Sequence, residues 1–173
     1  QAILMNNFKK TFEKKKLAVA QILLTYSDTE DRKKSLNSRE TIFELLRCNV
    51  IPIINENDSV AVDELKFGDN DRLAARVSQI IDANVLILLS DVDGLFSANP
   101  KKNKNAKLIR EVAKINEKIF RMASAETNYH GTGGMFTKIE AAEIASESNC
   151  DTIIFRGTKK NPISEYLKKE TGT

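Results

Sequence analysis

Four short apolar runs set the limits on what this chain can fold into. They are Leu17–Leu24 (LAVAQILL), Val50–Ile54 (VIPII), Val85–Leu89 (VLILL) and Thr152–Phe155 (TIIF). Each has strand length and reads as nearly continuous apolar sequence rather than strict alternation, the pattern of strands buried on both faces. Between them lie segments of helical period. Ala2 to Phe12 sets Leu4, Phe8 and Phe12 on one side. Thr25 to Asn37 reads as a polar connection. Asn37 with Glu40 three residues on resembles a capping box, opening a helix that turns Ile42, Leu45 and Leu46 inward and ends near Asn49. Asp69 to Asp82 is the clearest helix, with Leu73, Val77, Ile80 and Ile81 on one face and Arg72, Arg76 and Gln79 facing away. Pro100 to Lys107 is a polar loop. Helices are expected at Asn116–Ala123, Met135–Glu147 and Glu165–Lys169. Strands alternating with helices predict an α/β fold around a mainly parallel sheet covered on both faces. In such sheets ligands bind outside the carboxyl ends of the strands.

Bulk properties exclude several classes. A chain of 173 residues is long enough for one domain with its own core. A net charge of +3 is too small to argue for a nucleic-acid binder. No apolar run approaches the roughly 20 residues that cross a bilayer, so no membrane span is expected. The opening QAILMNNFKK lacks the apolar core and cleavage site of a signal peptide. Cys48 and Cys150 are far apart and lack metal-ligand spacing, which predicts buried free thiols in a reducing, cytoplasmic setting.

Three polar clusters fall at or near expected strand ends. Asn55, Asn57 and Asp58 follow the second strand, and Asp69, Asn70 and Asp71 open the next helix. Singly, each is accounted for by a cap or a turn. Together, after a buried strand, they point to a polar substrate. Ser90 and Asp91, in SDVDG, follow the third strand, where they could meet a nucleotide. A turn with Gly94 in the left-handed conformation explains the same residues and is the favoured reading of that motif alone. GTGGMFTK (Gly131 to Lys138) places glycines just ahead of a helix, where successive backbone N–H groups can face a phosphate. Lys138 lies about one turn in, within reach of a transferring phosphoryl group. The spacing is not that of a Walker A motif, and a tight turn with a surface lysine serves the segment equally well. His130, the only histidine, cannot build a histidine metal site. Lys101, Lys102, Lys104 and Lys107 read as a solvated loop.

IPIINENDSVAVDELKFGDNDRLAA, LILLSDVDGLFSANP and GTGGMFTKIEAAEIA, in that order, resemble the glutamate 5-kinases of the amino-acid kinase superfamily. The resemblance runs from about Gln1 to Phe155. Its first block is specific to glutamate kinases; the other two are shared with acetylglutamate kinase, aspartokinase and uridylate kinase. It implies a three-layer αβα sandwich and transfer of the ATP γ-phosphoryl to the side-chain carboxylate of L-glutamate, with Mg²⁺, as the first step toward proline. By that resemblance Asp58 and Asn70 hold glutamate, with Asn55 and Asp69 beside them. Ser90 and Asp91 meet the nucleotide. Thr132, Gly133, Gly134, Met135, Phe136, Thr137 and Lys138 form the nucleotide loop. Lys138 stabilises phosphoryl charge, and Asp71 organises the site. A homo-oligomer, dimer or tetramer, and feedback inhibition by proline are also implied.

One departure bears on activity. Enzymes of this kind are expected to begin with a strand, a lysine and a Gly/Ser-rich phosphate loop ahead of the position of Gln1. Residues 1–173 are therefore expected to form the C-terminal two-thirds of one amino-acid kinase domain, without an RNA-recognising PUA domain. On their own they are expected to bind nucleotide weakly and turn over negligibly. Two alternatives stay open: a relative acting on acetylglutamate, aspartate or a nucleoside monophosphate, and a non-catalytic amino-acid sensor of the same fold.

Overall fold

The computed structural model describes residues 1–57, 70–100, 102–124, 134–158, 160–169 and 172–173. The chain divides into two compact units, Gln1–Leu73 and Ala74–Thr173. Each is built on a pair of parallel strands.

In the first unit, helix α1 (Ala2–Glu13) packs on strand β1 (Ala18–Leu24). Its Phe8 and Phe12 rings stack at 6.4 Å, as the i, i+4 spacing predicts. The segment read as a polar connection is helical instead, forming α2 (Tyr26–Glu30) and most of the first half of α3 (Arg32–Arg47). Asn37 is therefore inside a helix and not its cap. The caps sit earlier. The Asp28 carboxylate accepts from the Thr25 N–H at 2.7 Å at the start of α2. Asp31 accepts from the Lys34 N–H at 2.9 Å at the start of α3. Asp competes for a cap as well as Asn does, and the polar, lysine-rich first turns of α3 face water, so no apolar period announced them. Along α3, Ile42 is buried as expected, whereas Leu46 is exposed. The helix stops at Arg47, and Asn49 takes φ 57°, the left-handed residue that closes many helices. Strand β2 (Val50–Glu56) then pairs parallel to β1, from Ala18 opposite Val50 to Leu24 opposite Glu56.

Helix α4 (Asn70–Ile80) carries the division between the units, with Leu73, Ala75, Ser78 and Ile80 buried. In the second unit, strand β3 (Val85–Ser90) pairs parallel to β4 (Asp151–Arg156), Val85 opposite Asp151 through Ser90 opposite Arg156. Between them come α5 (Glu117–Ser124) and α6 (Met135–Ser146), and α7 (Pro162–Lys169) follows β4. Asn116 caps α5, its side-chain oxygen accepting from the Lys118 N–H at 3.0 Å. One sheet face joins Leu86 and Leu88 to Ile154, buried with Ala75, Leu95, Ala123, Met135, Ile139, Ala141, Ala145 and Cys150 in a single core. Cys150 matches the buried thiol expected, whereas Cys48 is exposed at the end of α3.

Two expectations fail in this unit. Gln79 does not face away: its amide donates to the Ile144 carbonyl at 2.7 Å and to Glu147 at 3.2 Å, tying α4 to the end of α6. And the second face of β3 is not covered among the described residues, since Val85, Ile87 and Leu89 keep 47%, 36% and 47% of their surface. A continuous apolar run reports that both faces are apolar; it does not report what lies against each. No helix among the described residues is long and apolar enough to cross a membrane.

Candidate functional site

Parallel pairing puts the carboxyl ends of β3 and β4 side by side, at Ser90 and Arg156. Helix α6 packs on both strands and reaches β4 through the short segment 147–150, so it runs back against the strand. Twelve helical residues and six strand residues have similar lengths, about 18 and 20 Å. The N-terminus of α6 therefore lies level with the carboxyl ends of the strands. By that geometry Gly134, Met135, Phe136, Thr137 and Lys138 fall at the same end of this unit as Ser90 and Asp91.

Gly134 is the N-cap of α6, in extended conformation (φ −75°, ψ −174°), and Met135 opens the helix. Phe136 packs on Phe120 of α5, ring centroids 5.5 Å apart. The Thr137 hydroxyl donates back to the Gly134 carbonyl at 2.9 Å, which tightens the first turn. Lys138 is not a surface lysine: it is 93% buried, on the helix side that also carries Met135, Ile139, Ala141 and Ala145.

After β3 the chain turns through Asp91, Val92, Asp93 and Gly94 into the fully buried Leu95. Gly94 adopts φ +145°, outside the left-handed helical conformation expected of it. A Cβ there would also stand 2.5 Å from the Thr173 hydroxyl, so both backbone and space demand glycine. Asp91 is exposed. Across the edge, Arg156 forms a two-pronged pair with Asp93, Nε to Oδ1 at 3.1 Å and Nη2 to Oδ2 at 3.0 Å. Sequence reasoning did not find this pair, since its members are 63 residues apart. The available signal was a charged residue just past the apolar part of each neighbouring strand.

In the first unit, Asn55 lies in the last turn of β2's ladder, paired with Leu23, and Asn70 and Asp71 open α4. Asp58, Asp69, Thr132, Gly133 and His130 lie outside the described residues. Among the described residues no group of three or more His, Cys, Asp or Glu could hold a metal ion. A cavity of about 640 Å³, lined by Arg110, Lys114, Ser146, Cys150 and Thr152 among others, opens beside the amino-terminal half of β4. None of the polar candidates Ser90, Asp91, Thr137 and Lys138 lines it.

Fold and edge together define a class: an α/β protein of parallel strands whose polar candidates gather at strand carboxyl ends. Solved structures of that class share its fold. The chain aligns with an isopentenyl phosphate kinase at a TM-score of 0.65 and 18% identity, covering 98% of this chain and 63% of the other. It aligns with UMP kinase from Ureaplasma parvum at 0.52 and 17%, covering 76% and 49%. The chain belongs to the amino acid kinase family, whose model matches residues 1–156. Among curated relatives, a glutamate 5-kinase from Pelagibacter ubique is 49% identical over 173 residues, 100% of this chain and 47% of the relative. One from Clostridium acetobutylicum is 46% identical over 170 residues, 98% of this chain and 64% of the relative. The chain thus spans about half the length of most of the curated relatives it matches.

Proposed function

We propose that this chain is the acceptor- and nucleotide-binding part of a glutamate 5-kinase, the C-terminal two-thirds of one amino-acid kinase domain. The whole enzyme transfers the γ-phosphoryl of ATP to the side-chain carboxylate of L-glutamate, giving glutamyl 5-phosphate for proline synthesis in the cytoplasm. The observation that carries the reading is identity of 43–49% to relatives of that name across essentially the whole chain. The buried Lys138 in the first turn of α6 supports it chemically.

A carboxylate acceptor is ionised at neutral pH, so the reaction needs no general base. What remains is alignment and neutralisation of charge on the transferring group. Lys138 and the N-terminus of α6 supply positive character at the phosphates. Mg²⁺ supplies further charge neutralisation when bound with ATP. Ser90 and Asp91 hold the nucleotide, together with the loop Thr132 to Thr137. Asp58 and Asn70, with Asn55 and Asp69, hold glutamate, and Asp71 organises the site. Proline acts as a feedback inhibitor, and the enzyme assembles as a dimer or tetramer.

The test is acyl-phosphate trapping. The full-length protein, given ATP, Mg²⁺ and hydroxylamine, should form hydroxamate with L-glutamate and not with N-acetylglutamate or aspartate. Product with another acceptor would transfer the site to a relative of different specificity. Binding of glutamate or proline without any hydroxamate would mark a sensor.

A further inference from the structure

We infer that Arg156 is a positioning residue for the nucleotide loop, acting through Asp93; the inference rests on the ATP-binding role proposed for Ser90 and Asp91. The two ends of this loop are fixed by hydrogen bonds. The Gly157 N–H donates to the Ser90 carbonyl at 2.8 Å, which ends the β3–β4 ladder. The Leu95 N–H donates to the Thr173 hydroxyl at 3.0 Å, and the Leu95 carbonyl accepts from the Ile109 N–H at 2.8 Å.

The Ser90 hydroxyl stands 3.4 Å from both the Asp91 carboxylate and the Val92 N–H, at the outer limit of a hydrogen bond. The Arg156 fork onto Asp93 is shorter, charge-assisted and fixed in two directions. Arg156 stands opposite Ser90 in the strand register, so its reach to Asp93 closes a ring across the strand ends and draws the turn over β4. Asp91 lies between the anchored Ser90 and the clamped Asp93, with its side chain left to solvent. The clamp thus sets where the candidate nucleotide contacts stand without touching the nucleotide itself. The two side chains keep 38% and 40% of their surface, so water and salt weaken the pair and the expected effect is modest.

The experiment uses the full-length protein and measures ATP affinity by calorimetry, without acceptor, alongside steady-state kinetics. Arg156→Gln and Asp93→Asn should each weaken ATP binding about three- to fivefold, the range of a partly exposed but well-formed ion pair. The double variant should be no weaker than either single one, because both remove the same interaction. Arg156→Lys should recover only part of the loss, since an ammonium cannot reproduce the fork. Glutamate KM should stay at its wild-type value throughout. Three results overturn the inference. If Arg156→Gln weakens ATP binding while Asp93→Asn leaves it unchanged or improves it, Arg156 touches the nucleotide directly. If both variants lower the melting temperature and leave ATP affinity intact, the pair is only structural. If the wild-type protein binds no ATP, the clamp and the proposed function fall together. Wild-type protein that binds ATP but phosphorylates no glutamate removes the glutamate assignment alone, and the variant series still decides the clamp.

Discussion

The first unit pairs seven residues of β1 with β2, and the second pairs six residues of β3 with β4, both parallel and both from apolar runs. Their interiors differ. Among the described residues of the first unit, Leu24, Ile42 and Leu73 are the buried apolar side chains, while Leu17, Leu23, Leu36 and Leu46 remain substantially exposed. The second unit closes a contiguous core that draws on α4, β3, α5, α6 and β4. Local sequence of the same kind has therefore produced a strand pair with a sealed face in one case and a thinly covered pair in the other. Backbone pairing is a short-range consequence of sequence, whereas burial depends on which other elements supply a facing layer. The described nucleotide candidates stand on the sealed unit, and the described acceptor candidates Asn55 and Asn70, with the site-organising candidate Asp71, stand on the other.

Core substitutions test that contrast most strongly. Leu88→Ala, at a 4% exposed position on β3, should cost about 2–5 kcal/mol through lost burial and a cavity. Leu36→Ala, at a 51% exposed position on α3, should stay within about 0.5 kcal/mol. Urea denaturation of the intact protein measures both, and equal losses would mean that Leu36 is covered in that protein. The next effect is catalytic. Lys138→Met keeps the buried stem and deletes the charge, and Lys138→Ala deletes both. Each should lower kcat by about 10²–10³ with little change in glutamate KM, the cost of losing one group that stabilises transition-state charge. An unchanged kcat in the methionine variant would leave Lys138 as a buried packing residue.

Much of this architecture was legible in the sequence, because apolar runs and helical period reflect interactions a few residues long. The four strands, the helix at Asn70 and the glycine-led start of α6 all follow that logic. The failures have physical causes. Asn37 and Glu40 carry a cap signal, but the actual caps at Thr25–Asp28 and Asp31 use residue types equally suited to turns. Gln79 looked like a solvent residue because its partner, the Ile144 carbonyl, is 65 residues away. The candidate site shows the same division. Lys138 was visible from its position after the glycines, whereas its burial was not, and the Arg156–Asp93 pair required the β3–β4 register to bring its members together.

The smallest effect probes the thinly covered unit directly. Asp31 holds the Lys34 N–H at the start of α3, and removing that acceptor by Asp31→Ala should cost about 1 kcal/mol. The same change at the second unit's cap, Asn116→Ala, deletes the acceptor of the Lys118 N–H and should cost a similar amount. The two units diverge in where the loss is felt. Helix α5 packs against α6, whose buried side chains belong to the closed core, so its cap is backed by tertiary contacts. Helix α3 buries Ile42 alone among its residues, so its first turns depend more on the cap itself. Amide hydrogen exchange should therefore show fraying across residues 32–36 in Asp31→Ala, with smaller change across residues 117–121 in Asn116→Ala. Equal protection loss at the two caps would show that local capping, and not the surrounding core, governs both helix ends.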